Sequence, residues 1–153
     1  IANDNAPGQV VISGIIENIN TAERILIVNG AKKVIYLNVS AAFHSTIMKK
    51  AEKEMKNYLS RIDFNNSVYS IISNYTATAS NEKKILFENL SNQMSNKVRW
   101  AESIKLLDKM GEKIIIEMGP GKVLSGLIKR ISNNFSLYNF NNIQDIEILK
   151  NVL

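Results

Sequence analysis

The chain contains no cysteine. That absence excludes a disulfide scaffold, thiolate zinc sites, iron–sulfur clusters and cysteine-nucleophile chemistry. It has a single histidine, and zinc centres normally draw on several nitrogen or sulfur ligands, so no metal site is expected. No apolar run approaches the roughly 20 residues that span a bilayer. The longest, Ile25-Leu26-Ile27-Val28 and Ile114-Ile115-Ile116, have the length of helix or strand cores. The start, Ile-Ala-Asn-Asp-Asn, lacks the basic and apolar regions of a secretory signal. No membrane partner is expected. The aspartates Asp4, Asp63, Asp108 and Asp145 lie far apart in sequence, and no carboxylates fall at ligand spacing. No serine sits in a Gly-x-Ser-x-Gly elbow, the strained turn that exposes a nucleophilic hydroxyl above an α/β sheet.

What is present is an ordinary globular composition. The 153 residues are 45% hydrophobic and 22% charged, enough for one domain or a large piece of a bigger one, with a core that needs no staple. Nineteen basic against fourteen acidic residues give a net charge of +5. The pairs Lys49-Lys50, Lys83-Lys84 and Lys129-Arg130 form no basic stripe and have no interleaved aromatics, so they read as solvated helix faces. A nucleic-acid partner would rest on net charge alone and is not expected.

Hydrophobic spacing and turn residues predict a strand over 9–13, a helix over 15–29 closed by Asn29-Gly30, and a strand over 34–39. They then predict a helix over 45–61, a buried strand over 68–72, and amphipathic helices over 82–94 and 98–110. A strand over 113–118 leads through Gly119-Pro120-Gly121 into a helix over 122–131. Residues 133–142 read as polar and irregular, and 143–152 as a short terminal helix. Strands alternating with helices predict an α/β chain with a largely parallel sheet. In such sheets functional groups gather beyond the carboxyl ends of strands. Three loops are therefore singled out: the one before His44, the one at Ser73-Asn74, and Gly119-Pro120-Gly121.

His44 lies where a predicted strand gives way to a helix. Imidazole titrates near neutrality, so a general base and a surface or capping histidine are both open on residue pattern alone. Gly119-Pro120-Gly121-Lys122 fits neither the Walker pattern nor the dinucleotide fingerprint, and reads as a sharp strand-to-helix turn. Lys32 and Lys33 follow a predicted helix end, where cations suit the helix dipole.

Taken together, longer stretches resemble one family. Asn3-Asp4-Asn5-Ala6-Pro7-Gly8-Gln9-Val10-Val11-Ile12-Ser13-Gly14 resembles the "N-x-N-x-P-G-Q-V-V-I-[SA]-G" stretch of malonyl-CoA:acyl carrier protein transacylases. Gly30-Ala31-Lys32-Lys33 and Val39-Ser40-Ala41-Ala42-Phe43-His44-Ser45 resemble that family's "G-A-K-R" and "V-S-x-P-F-H-S" segments. Gln93 with Val98-Arg99-Trp100 resembles "Q-x-x-x-P-V-x-W", and Glu117 to Leu124 resembles "E-[IV]-G-P-G-K-V-L". The matches run in order over nearly the whole chain. Ala42 and Lys97 stand where the family has proline.

The resemblance implies part of a serine acyltransferase of type II fatty acid synthesis, a cytoplasmic malonyltransferase. Its substrates would be malonyl-CoA and the phosphopantetheine thiol of an acidic acyl carrier protein, with no resident cofactor. It implies His44 as general base, with the backbone carbonyl of Gln93 orienting it. Asn5 and Gln9 are candidate substrate contacts. Lys32, Lys33, Lys129 and Arg130 are candidates for docking the carrier protein. The implied fold is the second half of an α/β-hydrolase-like acyltransferase core (residues 40–153) with part of a small ferredoxin-like subdomain (residues 1–39). The family's "P-G-Q-G-S-Q" oxyanion segment, its "G-H-S-L-G" elbow and its malonyl-gripping arginine are absent from the sequence. The chain is therefore expected to be inactive alone, to expose apolar surface, and to associate with the amino-terminal half or with itself. The alternative is a non-catalytic module that binds acyl carrier protein and has lost the nucleophile.

Overall fold

The structure, a computed structural model, describes residues 1–150, apart from the side chains of residues 148 and 149. Pro7-Gly8 closes a short antiparallel hairpin between β1 (Asn3–Ala6) and β2 (Gln9–Val11). The other edge of β1 is bridged in parallel by Val98: Asp4 donates to the Val98 carbonyl at 2.9 Å, and Val98 donates to Ala2 at 2.8 Å. Helix α1 (Ile16–Val28) follows and ends at Asn29-Gly30. Gly30 turns left-handed, so that Ala31 N–H reaches back to the Leu26 carbonyl at 2.9 Å.

A single 3-10 turn (Thr46–Met48) leads into α2 (Lys49–Leu59). A small hairpin of β3 (Ile71–Ile72) and β4 (Ala79–Ser80) precedes α3 (Lys83–Ser91) and α4 (Trp100–Met110). Strand β5 (Ile114–Met118), helix α5 (Val123–Ile131) and strand β6 (Ser136–Phe140) form a βαβ unit with a parallel register from Ile114↔Ser136 to Met118↔Phe140. A 3-10 turn (Ile143–Asp145) and α6 (Ile146–Lys150) complete the described residues. The last two residues of the expected terminal helix, 151 and 152, lie outside them.

The core gathers where α4 and α5 pack on β1. Ala2, Ala6, Val98, Ala101, Ile104, Leu127 and Ile128 are buried there, Ile128 to 1% exposure. Ala101 and Ile104 recur at helical spacing on α4, and Leu127 and Ile128 share the inner face of α5. Ala2, just before β1, and Ala6, its last residue, are small enough for the helices to pack closely there. Each fully buried isoleucine contributes about 1.5–3 kcal/mol.

Four expectations are corrected. Residues 34–39 carry a strand-like pattern but form no ladder, because no described strand runs beside them, and Ile35, Leu37 and Val39 stay exposed. Only Ile71 and Ile72 of the 68–72 run join a strand, and Val68 is 88% exposed. Within 133–142, Ser136–Phe140 is a strand, since Leu137, Tyr138 and Phe140 extend beside β5 and Asn139 finds polar partners. The sheet is not largely parallel: the described residues hold one parallel and two antiparallel ladders.

The molecule is unusually open. It exposes 10885 Å², where a compact monomer of its 17.2 kDa exposes about 7,800 Å². Helix α1 has the expected apolar spacing but buries none of its residues.

Candidate active site

His44 adopts φ 59°, a left-handed conformation that a non-glycine residue holds only when its surroundings impose it. Two bonds impose it. The His44 backbone N–H donates to the Met94 carbonyl at 2.9 Å, and the ring Nδ1 lies 3.0 Å from the Gln93 carbonyl. A carbonyl oxygen can only accept, so this contact puts the proton on Nδ1 and leaves the Nε2 lone pair free. On either side of the histidine, Ser13 Oγ donates to the Phe43 carbonyl at 2.6 Å and Ser45 Oγ to the Ala42 carbonyl at 2.7 Å. Both hydroxyls are thus engaged with backbone rather than with the imidazole.

A cavity of about 340 Å³ opens beside His44, lined with Asn3, Asn5, Asn74, Val98, Trp100, Leu124 and Leu127. Two of the three loops singled out in the sequence reach it, with the helix that follows the third. The first supplies His44, the second Asn74, and the helix after the third supplies Leu124 and Leu127. Val98, Trp100, Leu124 and Leu127 give it apolar walls, and Asn3, Asn5, Asn74 and His44 bring polar groups to the same open hollow. The Trp100 indole N–H is buried and has no hydrogen-bond partner among the described residues. A second hollow of similar size, at Asn66, Glu82, Lys83 and Lys84, has no convergent polar chemistry: Asn66 Oδ1 simply accepts the Lys83 N–H at the start of α3.

Glu117 fixes the wall formed by α5. Its carboxylate accepts the N–H groups of Leu124 and Ser125 at 2.9 and 2.8 Å, the Ser125 hydroxyl at 2.6 Å and the Asn139 amide at 3.1 Å. It thereby caps the amino end of the helix. Gly119 and Gly121 take φ 130° and 93° in the turn between, and Gly121 N–H donates to Asn141 Oδ1.

The structure brings His44 and Gln93 together and sets Asn5 on the wall beside His44. Gln9 does not line this cavity: its Oε1 accepts from Arg130, which also donates to the Pro7 carbonyl at 3.2 Å. Lys32 and Lys33 are exposed after α1, and Lys129 and Arg130 in the last turn of α5. Asn3, Asn74, Trp100 and the Met94 carbonyl were not foreseen as site groups. The loop signal at Ser73-Asn74 and the Val98-Arg99-Trp100 motif pointed to two of these places. Among the described residues there is no cluster of three or more acidic or histidine side chains able to hold a metal ion, and no helix long and apolar enough to cross a membrane.

No protein-family model matches the chain. The malonyl CoA-acyl carrier protein transacylase of Bacillus subtilis is 39% identical over 148 residues, which cover 97% of this chain and 47% of the relative. The crystal structure of an acyl-carrier-protein-S-malonyltransferase from Bartonella henselae superposes with a TM-score of 0.94 at 34% identity, over 99% of this chain and 48% of that one. A malonyl-transacylase solved in complex with its type II PKS acyl-carrier protein gives a TM-score of 0.93 at 33% identity, over 98% and 49%. Fold and neighbours thus define an α/β chain of the malonyltransferase type. Over nearly its whole length the chain matches the carboxyl-terminal half of malonyl-CoA:acyl carrier protein transacylases. It spans about half the length of the curated relatives it matches.

Proposed function

We propose that this chain supplies the base-bearing half of a malonyl-CoA:acyl carrier protein S-malonyltransferase. The observation that carries the reading is the contact between His44 Nδ1 and the Gln93 carbonyl, with His44 lining a cavity that it shares with three asparagines and four apolar or aromatic residues. In this reading Nε2 takes the proton of a serine hydroxyl as that oxygen attacks the malonyl thioester. The tetrahedral intermediate expels the coenzyme A thiolate, which receives the proton from the imidazolium. The phosphopantetheine thiol of the carrier protein then gives its proton to His44 and attacks the malonyl ester, and the serine oxygen leaves with that proton. The Gln93 carbonyl holds the ring and supports its positive charge in both halves.

The nucleophilic serine and the donors for the oxyanion come, on this reading, from a segment outside these 153 residues. Residues 1–39 then belong to a ferredoxin-like subdomain and 40–153 to the acyltransferase core. Asn5 contacts substrate from the cavity wall. Gln9, the other candidate substrate contact, is held by Arg130 outside this cavity. Lys32, Lys33, Lys129 and Arg130 meet the acidic carrier protein. The test is exposure of the chain to malonyl-CoA, followed by intact mass. No malonyl adduct is expected, and a stable adduct on a serine of this chain would overturn the division of labour.

A further inference from the structure

The two carbonyls that meet His44 belong to the loop between α3 and α4. A 3 Å contact on a loop persists only if the loop itself is held. Within the loop, Gln93 Nε2 donates to the Asn96 carbonyl at 3.3 Å and Asn96 Nδ2 to the Asn92 carbonyl at 2.7 Å. Those bonds give the loop its shape but do not tie it to the segment that carries the histidine. Glu52 does. Its Oε2 accepts the Ser95 backbone N–H and its Oε1 accepts the Ser95 hydroxyl, both at 2.7 Å. Ser95 is 6% exposed and Glu52 half-buried, so this charge-assisted clamp is partly shielded from competing water.

Glu52 stands in the first turn of α2, one short 3-10 turn beyond His44. The same rigid stretch therefore presents the imidazole and grips the loop whose carbonyls receive it. Both contacts accompany the left-handed backbone at His44. We propose that Glu52 is a positioning residue: through Ser95 it holds the Gln93 and Met94 carbonyls against His44 and so keeps the proton on Nδ1. The value of that tautomer for catalysis rests on the proposed transacylase reading, whereas the tautomer itself does not.

His44 is the only histidine, so long-range nitrogen-15 spectra of the 153-residue chain report a single imidazole. In the wild type the neutral ring is expected mainly with its proton on Nδ1. Glu52→Ala should shift the population several-fold toward the Nε2-protonated form that free histidine prefers. Glu52→Gln, which can still accept from Ser95, and Ser95→Ala, which keeps its backbone N–H, should fall between, and they decide the matter if Glu52→Ala does not fold. A wild-type ring protonated mainly on Nε2 would overturn the proposal. So would a tautomer ratio that does not move in any folded variant, even one of lowered stability. A shifted tautomer alongside full transfer by a His44→Ala enzyme would leave this inference standing and remove the transacylase role of His44 instead.

Discussion

The Nδ1 of His44 lies 3.0 Å from the carbonyl oxygen of Gln93, and the same residue sends its backbone N–H to the neighbouring Met94 carbonyl at 2.9 Å. Two bonds from one residue to consecutive carbonyls set the place of the ring and its tautomer together. A carboxylate partner would also hold the ring but would add a full negative charge. The carbonyl orients with a dipole only, which in the proposed mechanism suits an imidazole that gives up its proton again in each half-reaction.

Glu117 is expected to make the chain acid-sensitive. Burial pushes its carboxyl pKa up, but the hydrogen bonds from Ser125, Leu124 and Asn139 outweigh it and hold the pKa below the ordinary 4.5. The bidentate bond from Arg99 lowers that of Glu102 in the same way. Between the folded and ordinary values the unfolded chain binds more protons. The stabilisation is therefore complete above about pH 4.5 and is lost as pH falls through the folded value. Glu117→Gln should cost about 1–3 kcal/mol near neutral pH and flatten the acid dependence. Urea denaturation at neutral and acid pH checks both, and an unchanged acid slope would refute the assignment.

Two glycines should respond in opposite directions. A β-carbon at Gly121 or at Gly126 meets open space, but only Gly121 has a positive φ. Gly121→Ala should then cost about 1–2 kcal/mol through the backbone alone. Gly126→Ala, inside α5, should stabilise by about 0.5–1 kcal/mol. Thermal melts of the two variants give the comparison directly. Equal effects would mean that the turn relaxes to accept a side chain.

Exposed apolar surface on α1 and over residues 34–39 should make the isolated chain self-associate. Val28 is 86% exposed and Leu37 57%, and residues 34–39 join no ladder among the described residues. Sedimentation velocity should show concentration-dependent association, reduced by the double substitution Ile35→Lys and Leu37→Lys. A monodisperse monomer at high concentration would contradict the expectation.

If Lys32, Lys33, Lys129 and Arg130 meet an acidic carrier protein, reversing charges there should slow association and weaken its salt dependence. Stopped-flow binding with Lys32→Glu/Lys33→Glu and, separately, Lys129→Glu locates the contact. Arg130 is left intact because it also holds Gln9 and Pro7. Wild-type rates in both variants at low salt would remove these residues from the interface.

Local pattern carried most of the helices. Ala101 and Ile104 mark α4 by their spacing, and Gly30 and Gly111 stop helices where their positive φ is needed. Residues 34–39 misled because β-propensity reports a side-chain pattern, while a strand also needs a neighbour for its N–H and C=O groups. Residues 136–140 misled in the other direction: asparagine-rich flanks hid a strand that β5 recruits through a full parallel register. Within the site, the Ser73-Asn74 loop follows β3 and the Gly119-Pro120-Gly121 turn follows β5, as the strand pattern implied, whereas the strand expected before His44 does not form. The His44–Gln93 pairing came only through the family resemblance, since contacts across 49 positions leave no periodic trace. The Glu52–Ser95 clamp left none either, and Glu52 looks in sequence like any charge on a lysine-rich helix.

The most direct measurement is malonyl transfer from coenzyme A to acyl carrier protein by the natural protein that contains these residues, wild type against His44→Ala. The account expects transfer by the wild type and a loss of about 10³–10⁴-fold in kcat for the variant, with the variant still folded. Undiminished transfer without His44, or no transfer by the wild type, would contradict it.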